Sequence, residues 1–272
     1  MNRIRNALIV GGKGYIGSNL NKYLTSKGIE IFTLDKGDGF PAEQLSVLKE
    51  IDYIVHLAAY PGVAACKQNL QAATHDNISS AFRVFMVAHN IGIPVIFSSS
   101  QAAKFPEHSL YGTIKRMIEY EAMRYNYLNG DLRILRFTNV FGGENFLTRK
   151  LTVIPQIVRS INYGRPFKVN GDGSQTRDFI HVNDICRAIY KCMLHEDRIL
   201  EPVDIGTGKG TSVLEIVERF KKKFDFVFTN DLKSDIIGPS ESTADIKAAK
   251  ELFDFEYKIE LSDWIDSLEI EK

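Results

Sequence analysis

Tyr111 and Lys115 are the residues whose types and spacing most directly suggest chemistry. On a helix, side chains four positions apart share a face, so a phenol and an ammonium group would be neighbours. A tyrosine hydroxyl has an ordinary pKa of about 10 and acts as a base near neutral pH only if that pKa falls toward ~7. A nearby ammonium favours the phenolate and lowers the pKa. The local sequence leaves two interpretations open: a proton-transfer pair, or a buried aromatic residue at the start of a helix.

The segment LIVGGKGYIGSNL forms a second cluster, with Gly11, Gly14 and Gly17 directly after a short apolar run. A tight turn, a close approach of the backbone to a pyrophosphate and close helix packing all need residues without a Cβ. Asp35 follows eighteen residues after Gly17, where a carboxylate accepts hydrogen bonds from the adenosine ribose and repels a 2′-phosphate. The segment predicts a dinucleotide site that prefers NAD to NADP, although Lys36 leaves NADP open. The structural alternative is a strand-to-helix turn without a ligand.

The elements that must position these residues follow from the apolar runs. Five short β-rich runs lack a clean polar–apolar alternation, as expected of strands buried on both faces of a parallel sheet: NALIV, IEIFTL, DYIVHLA, IPVIFSS and DLRILRF. Amphipathic stretches between several of them predict helices over 18–27, 77–90 and 111–127. This alternation predicts an α/β fold, a Rossmann-type doubly wound parallel sheet.

After about residue 142 the pattern changes to short elements separated by Gly- and Pro-rich turns. We predict an NAD-binding domain over 1–142, which also receives parts of 178–210, and a mainly substrate-binding lobe over 143–272. In this smaller C-terminal α/β lobe a helix is predicted over 153–162, and 225–244 looks irregular. The lobe would lie over the carboxyl ends of the strands, where open α/β sheets bind ligands.

Composition and charge exclude several classes of protein. The 272 residues carry 34 basic and 34 acidic side chains, so no excess of positive charge indicates nucleic-acid binding. No run approaches the ~18 apolar residues of a membrane span, and the first apolar run ends at Gly11, too early for a signal peptide. Cys66, Cys186 and Cys192 are odd in number and lack metal-ligand spacing, which predicts reduced thiols and no metal. We expect a cytoplasmic protein without nucleic-acid or membrane partners.

The glycine spacing GxxGxxG is the form typical of short-chain dehydrogenases/reductases. Seven segments occur in the order found in the extended branch of that family: GGKGYIGSNL, DYIVHLAA, FSSS, YGTIK, LRFTNVFG, RDFIHVNDICRAI and DIGTGKGTSVLEI. The chain resembles the NAD-dependent epimerase/dehydratase family, and within it the UDP-glucose 4-epimerase group of nucleotide-sugar enzymes. The resemblance covers about residues 7–265, and the combination of segments is far more specific than any one of them.

The resemblance implies that Ser100, Tyr111 and Lys115 form the catalytic set. Tyr111 would move a proton while a hydride passes between the substrate carbon and the nicotinamide. Lys115 would lower the pKa of Tyr111 and hydrogen-bond the nicotinamide ribose. Ser100, at the end of a strand, would hydrogen-bond the reacting hydroxyl or carbonyl.

Binding residues are implied in the same way. For NAD they are Gly11, Gly14, Tyr15, Ile16, Gly17, Asp35, Leu57, Ala58, Ala59, Asn77, Ser98, Tyr111, Lys115 and Phe137. For a nucleotide-diphosphate sugar they are Ser100, Asn139, Val169, Arg177 and Phe179. Asn139 and Arg177 would contact the diphosphate, since a guanidinium fork suits a pair of phosphate oxygens. Asp178 and His181 would fix a loop, and His56 would be a buried strand residue. A homodimer is also implied.

Several positions depart from the epimerase pattern. Asp235 is the nearest equivalent of a second arginine, and the loop 101–110 is short and holds KFPEHS where a Tyr–Gly pair is expected. Between Asp35 and Tyr53 there is room for a helix near 41–50 but hardly for a further strand, and Asp38 would replace a lost adenine contact. These departures leave the sugar and the nucleotide open.

Three functions remain under consideration. The favoured one is an NAD-dependent, 4-epimerase-like nucleotide-sugar epimerase, which oxidises a ring hydroxyl, lets the keto sugar turn over and returns the hydride to the other face. Dehydration is disfavoured because Gln101 and Ala102 follow Ser100 where related dehydratases carry an acid pair. The alternative is a reductase of nucleotide-linked 4-keto-6-deoxy sugars that uses an exchangeable NAD(P)H. A non-catalytic dinucleotide-binding sensor ranks last, since such proteins usually lose the tyrosine or the lysine.

Overall fold

A six-stranded parallel sheet forms the centre of the molecule. The computed structural model describes residues 4–36, 50–60, 62–149, 151–233 and 238–270. The sheet comprises β1 (Asn6–Val10), β2 (Glu30–Leu34), β3 (Tyr53–His56), β4 (Val95–Ser100), β5 (Leu132–Phe137) and β10 (Val203–Ile205). Their spatial order is β10-β5-β4-β3-β1-β2. The chain runs outward from β1 to β2 and then restarts on the other side of β1 with β3, so the strand order reverses there.

The described residues form nine α-helices, several of which cover the two faces of this sheet. They are α1 (Tyr15–Ser26), α2 (Val63–Gln68), α3 (Leu70–Ile91), α4 (Leu110–Tyr127), α5 (Val153–Asn162), α6 (Val182–Leu194), α7 (Val213–Lys223), α8 (Lys247–Phe253) and α9 (Leu261–Ser267). Successive strand residues point to opposite faces, so Ala7 and Ile9 pack with α1 and α6, whereas Leu8 and Val10 pack with α3 and α4. The predicted Rossmann-type doubly wound α/β fold is therefore confirmed.

Short strands build the smaller lobe. They are β6 (Asn139–Phe141), β7 (Phe167–Asn170), β8 (Thr176–Arg177), β9 (Phe179–His181), β11 (Thr211–Ser212), β12 (Phe228–Asp231) and β13 (Glu241–Ser242). A third apolar core unites α5, α7 and α9 beneath them. The prediction that 225–244 is irregular was wrong, because β12 pairs with β7 and β13 with β8. These strands are too short to show periodicity and form only against partners that are distant in sequence.

Two helices begin earlier than predicted. The helix predicted over 77–90 starts at Leu70, because the Asn69 side chain accepts a hydrogen bond from the Ala72 amide at 2.9 Å and caps it. The helix predicted over 18–27 starts at Tyr15, directly after the glycine turn. The helix predicted near 41–50 lies almost wholly outside the described residues. Asp38 and Asp235 also lie outside them.

The carboxylate of Asp178, fully buried between β8 and β9, connects the lobe to the sheet. Its oxygens accept hydrogen bonds from the amides of Thr207 at 2.9 and 3.0 Å and of Gly208 at 2.8 Å, just beyond β10. They also accept the Thr207 hydroxyl at 2.8 Å and the Ala244 amide at 3.2 Å, just beyond β13. One side chain therefore holds the ends of two segments that are far apart in sequence, in agreement with its predicted structural role.

Replacing Asp178 with Asn tests this connection. The new amide group would present N–H donors to backbone N–H donors, so we expect the free energy of unfolding to fall by about 2–4 kcal/mol. Urea unfolding followed by circular dichroism measures the change. The control is Asp172→Asn, which removes an exposed carboxylate that accepts hydrogen bonds from Ser174, with an expected change of about 0.5 kcal/mol. Equal losses in both variants would contradict the assigned role of Asp178.

Candidate active site

A large cleft opens at the carboxyl ends of the parallel strands. Its volume is about 1300 Å³, and its walls come from the glycine turn, the segment after β3, the segment from Ser98 to Tyr111 and the smaller lobe. A pocket for one drug-sized ligand typically measures about 300–1,000 Å³. The cleft therefore has room for two ligands side by side.

The glycine turn is shaped by close backbone contacts. Gly11 has φ +90°, and a Cβ there would lie 2.6 Å from the Ala58 amide nitrogen. A Cβ on Gly17 would lie 2.1 Å from the carbonyl oxygen of Gly11. Helix α1 starts at Tyr15, within this glycine segment, and its N-cap Gly14 offers no side-chain acceptor. The first amides of α1 are therefore left for an anion, as at dinucleotide pyrophosphate sites.

Most of the residues predicted to bind NAD line this part of the cleft. Asp35 follows β2 and accepts the Lys13 amide at 3.1 and 3.2 Å. The amides of Leu57 and Ala58 both donate to the Val10 carbonyl at 2.8 Å, which folds the segment after β3 against the glycine turn. The predicted cofactor residues on the cleft wall are Gly11, Gly14, Tyr15, Ile16, Gly17, Asp35, Leu57, Ala58, Ala59, Ser98, Tyr111, Lys115 and Phe137.

Two predicted binding residues lie off the cleft. Asn77 is buried below the wall, where its amide bonds the backbone of Tyr60 at 3.0 and 3.3 Å and the Ala73 carbonyl at 2.7 Å. Val169 is fully buried in the core of the smaller lobe, because β7 alternates and turns it inward. Neighbouring Asn170 reaches the cleft instead.

Ser100, Tyr111 and Lys115 come together where the two halves of the cleft meet. Ser100 ends β4, Tyr111 lies in the first turn of α4, and both side chains line the cleft. The Lys115 ammonium donates to the Ser98 carbonyl at 2.7 Å and lies 5.8 Å from the centre of the Tyr111 ring. The helical spacing thus produces the side-by-side arrangement predicted from the sequence.

Contrary to expectation, the chain's own groups taken together do not lower the pKa of Tyr111. Burial raises the pKa of Tyr111 to about 12, and the Arg149 charge and the Ser100 hydrogen bond offset this only in part. Burial also lowers the pKa of Lys115 to about 8, with Glu119 acting against it. Desolvation penalises the charged form of each group and therefore shifts the two pKa values in opposite directions.

A buried ion network holds the end of β4 in place. Glu119 on α4 is fully buried, and it accepts the Ser99 hydroxyl at 2.6 Å and two Arg136 N–H groups at 2.7 and 2.6 Å. Arg116 adds a bond at 3.0 Å. Since Ser99 immediately precedes Ser100, this network fixes the direction of the strand end that carries the predicted catalytic hydroxyl. Sequence reasoning assigned it no role.

The far end of the cleft carries the predicted diphosphate residues. The Asn139 side chain donates to the Asp178 carbonyl at 3.1 Å. Arg177 on β8 is half-buried, donates to the Thr176 carbonyl at 2.7 Å and has its pKa lowered by desolvation. Phe179 is buried and also lines the cleft. The structure therefore brings together a guanidinium, an amide and an aromatic face opposite the glycine turn.

Arg149 and Gln101 also line the cleft, and sequence reasoning did not select either as a binding residue. The Arg149 guanidinium lies 5.7 Å from the centre of the Tyr15 ring, and its charge lowers the pKa of Tyr111. Its segment, LTRK, gives no motif, so only the folded chain reveals its position.

The described residues contain no cluster of three or more His, Cys, Asp or Glu side chains placed to hold a metal. Within the same ranges, no helix is both long and apolar enough to cross a membrane.

A dinucleotide turn, a Ser–Tyr–Lys cluster and a second binding region in one cleft define an NAD-dependent enzyme of the extended short-chain dehydrogenase/reductase type. A model of the NAD dependent epimerase/dehydratase family matches residues 7–206. The chain belongs to that family, which confirms the predicted resemblance, the enzyme class and NAD as the cofactor.

Three comparisons illustrate the relationship. A UDP-glucuronate 4-epimerase of Thermodesulfobacterium geofontis is 26% identical over 295 residues, spanning 96% of this chain and 89% of the relative. UDP-glucuronic acid decarboxylase 1 of Arabidopsis thaliana is 26% identical over 292 residues, spanning 93% of this chain and 66% of the relative. The structure of MoeE5 in complex with UDP-glucose and NAD has a TM-score of 0.85 at 26% identity and spans 96% of each chain. The relatives' names thus include both an epimerase and a decarboxylase.

His56 is confirmed as a buried strand residue. Its ring is fully buried on β3, with Nε2 at 3.0 Å from the Ser80 hydroxyl, and burial lowers the pKa of His56 to about 3. In the unfolded chain a histidine binds a proton below a pKa of about 6.5, whereas the folded protein keeps His56 neutral until the pH is much lower. The neutral ring therefore makes its whole contribution to the free energy of unfolding above pH ~6.5. That contribution is lost as the pH falls toward the pKa of His56 in the folded protein.

The His56→Gln variant should lose this pH dependence. Between pH 7 and pH 5 we expect the free energy of unfolding of the unmodified protein to drop by about 2 kcal/mol more than that of the variant. Urea unfolding at several pH values measures the difference. The control is His75→Gln, which removes a histidine ring that is 73% exposed. Parallel pH profiles for His56→Gln and the unmodified protein would contradict the assignment.

Proposed function

We propose that the chain is an NAD-dependent nucleotide-sugar 4-epimerase acting on a UDP-sugar. The observation that carries the proposal is the meeting of Ser100, Tyr111 and Lys115 between a dinucleotide turn and a second binding region in one cleft. An epimerase needs both ligands together, because the hydride leaves the sugar and returns to it. The UDP-sugar relatives support the nucleotide part of the proposal.

The chain's own residues would carry the proton and hold the sugar. Tyr111, as phenolate, accepts the proton of the sugar hydroxyl that is oxidised and later returns it. Ser100 hydrogen-bonds the same oxygen, and Lys115 orients the nicotinamide ribose. When bound, NAD supplies a reversible hydride acceptor and a positive charge near the phenol. Arg149 favours the phenolate from the other side of the cleft, in accordance with its effect on the Tyr111 pKa.

The smaller lobe would bind the rest of the substrate. Arg177 and Asn139 hold the diphosphate, and Phe179 packs on the bound nucleotide sugar. This assigns cofactor binding mainly to 1–142 and substrate binding mainly to 143–272, with Asn139 contributed from the first domain. The homodimer and the cytoplasmic location stay predictions from the sequence.

The test of function is a product analysis without added cofactor. The purified protein is incubated separately with UDP-glucose, UDP-galactose and UDP-glucuronate, and each mixture is followed by proton NMR. We expect the 4-epimer of at least one substrate to accumulate to equilibrium, with cofactor that copurifies with the protein. A separate incubation supplies a nucleotide-linked 4-keto-6-deoxy sugar and NADH. Reduction of that sugar, without epimerisation of the three UDP-sugars, would establish the reductase instead, and release of CO2 from UDP-glucuronate would establish a decarboxylase.

Tyr111→Phe should lower kcat by about 10³-fold, because the variant keeps the ring and loses the proton-transfer group. NAD bound per chain, measured by mass spectrometry after denaturation, should stay the same. The matched control is Tyr120→Phe on the same helix, where the side chain is 58% exposed and the rate should not change. A Tyr111→Phe enzyme that retains a substantial part of its activity would remove Tyr111 from the mechanism.

Asp35→Ala should weaken the preference for NAD over NADP by about tenfold or more, because the carboxylate that repels a 2′-phosphate is lost. Titration of the cofactor-stripped protein with each dinucleotide measures the ratio of the two dissociation constants. The control is Glu251→Ala, which removes an exposed carboxylate that is not part of the cleft wall and should not affect the ratio. An unchanged ratio in Asp35→Ala would show that the ribose contact has been misplaced.

A further inference from the structure

Gln101 is buried on the cleft wall, and its side chain has no hydrogen-bond partner in the part of the chain that the structure describes. It begins the short 3₁₀ turn Gln101–Lys104 that follows Ser100, and its side chain is 5% exposed. Neither Oε1 nor Nε2 has a partner, and among the described residues Gln101 is the one side chain with two such atoms. Burying an amide without hydrogen bonds is costly. No contact among the described residues offsets this free-energy cost.

The position of Gln101 favours the substrate over the cofactor. Gln101 extends β4, whose last residue Ser100 is in register with Phe137 at the end of β5. Beyond β5 the chain continues directly to Asn139, which we assign to the diphosphate of the substrate. The glycine turn and Asp35 follow β1 and β2, on the other side of β3 in the sheet. The unpaired amide therefore belongs to the half of the cleft that the sugar would occupy.

The chemistry of the amide defines the group it would bind. Oε1 only accepts a hydrogen bond and Nε2 only donates, so satisfying both requires a partner that offers a donor and an acceptor. Sugar hydroxyls provide both. A carboxylate at the same place would pair with Nε2 and leave Oε1 unpaired.

We propose that Gln101 determines substrate specificity by binding hydroxyl groups of the hexose through both atoms of its carboxamide. This inference rests on the proposed nucleotide-sugar substrate and adds a contact to the sugar itself. Oε1 accepts from one hydroxyl, and Nε2 donates to the same oxygen or to a neighbouring one. Substrate binding would then supply the hydrogen-bond partners that the amide lacks among the described residues.

The test compares Gln101→Met with Tyr53→Phe. Methionine keeps nearly the same shape as glutamine and removes the polar atoms. Tyr53 is 4% exposed, its hydroxyl also lacks a partner among the described residues, and it is not part of the cleft wall. Both variants therefore remove buried unpaired polar atoms, but only one removes them from the proposed sugar site. Calorimetry measures the affinities for UDP, UDP-glucose, UDP-galactose and UDP-glucuronate, with NAD bound, and the melting temperature is recorded without UDP ligands.

We expect both variants to melt about 2 °C above the unmodified protein, because each removes buried polar atoms without partners. Neither variant should melt below it. Gln101→Met should bind the preferred UDP-sugar about tenfold more weakly. Its affinities for UDP and for NAD should stay within about twofold, and Tyr53→Phe should keep all affinities. If Gln101→Met does not fold, Gln101→Leu is measured in the same way.

Three results would overturn the inference: unchanged affinity for the UDP-sugar, an equal loss of affinity for UDP alone, or a loss of NAD binding. The binding readout separates this inference from the proposed reaction. A protein that binds a UDP-sugar more tightly than UDP but converts none of the three would refute the 4-epimerase, and the comparison with Gln101→Met would still decide the role of Gln101.

Discussion

The geometry of the cleft depends on the hydrogen bonds that the buried carboxylate of Asp178 accepts. It accepts backbone amides from the turn after β10 and from the segment after β13, so it fixes the smaller lobe relative to the parallel sheet. Asn139 and Arg177, the two proposed diphosphate residues, are attached to the same place, since Asn139 bonds the Asp178 carbonyl and Arg177 precedes Asp178 in the chain. A buried charge with several amide donors resists displacement, so it ties the smaller lobe to the sheet at this point.

Burial sets the electrostatics of the site more strongly than residue type. The low polarity around Tyr111 and Lys115 disfavours the charged form of each, so burial raises the pKa of the phenol and lowers the pKa of the lysine. Bringing a cationic nicotinamide into the cleft would favour the phenolate, because a nearby charge acts strongly where water is excluded. We infer that proton transfer depends on the loaded cofactor.

The sequence predicted the parallel sheet, the glycine turn and the Tyr111–Lys115 face because each depends on local spacing. It did not predict β12 and β13, whose partners are distant in the chain, or the capping by Asn69 that lengthens α3. The burial that raises the Tyr111 pKa, and the positions of Arg149 and Gln101, depend on how distant segments pack. Val169 was assigned to the substrate site by resemblance, but strand alternation in β7 places its side chain in the core.

The most direct test of the account follows one hydride. A UDP-hexose that the protein accepts is prepared with deuterium at C4 and incubated with the protein in ordinary water, in the presence of added unlabelled NADH. The account predicts that the 4-epimer retains the deuterium at C4, because the hydride goes to the bound nicotinamide and returns to the same sugar. Loss of the label to water would indicate proton abstraction from carbon, and its replacement by hydrogen from the added NADH would indicate an exchangeable cofactor. Either result would contradict the account.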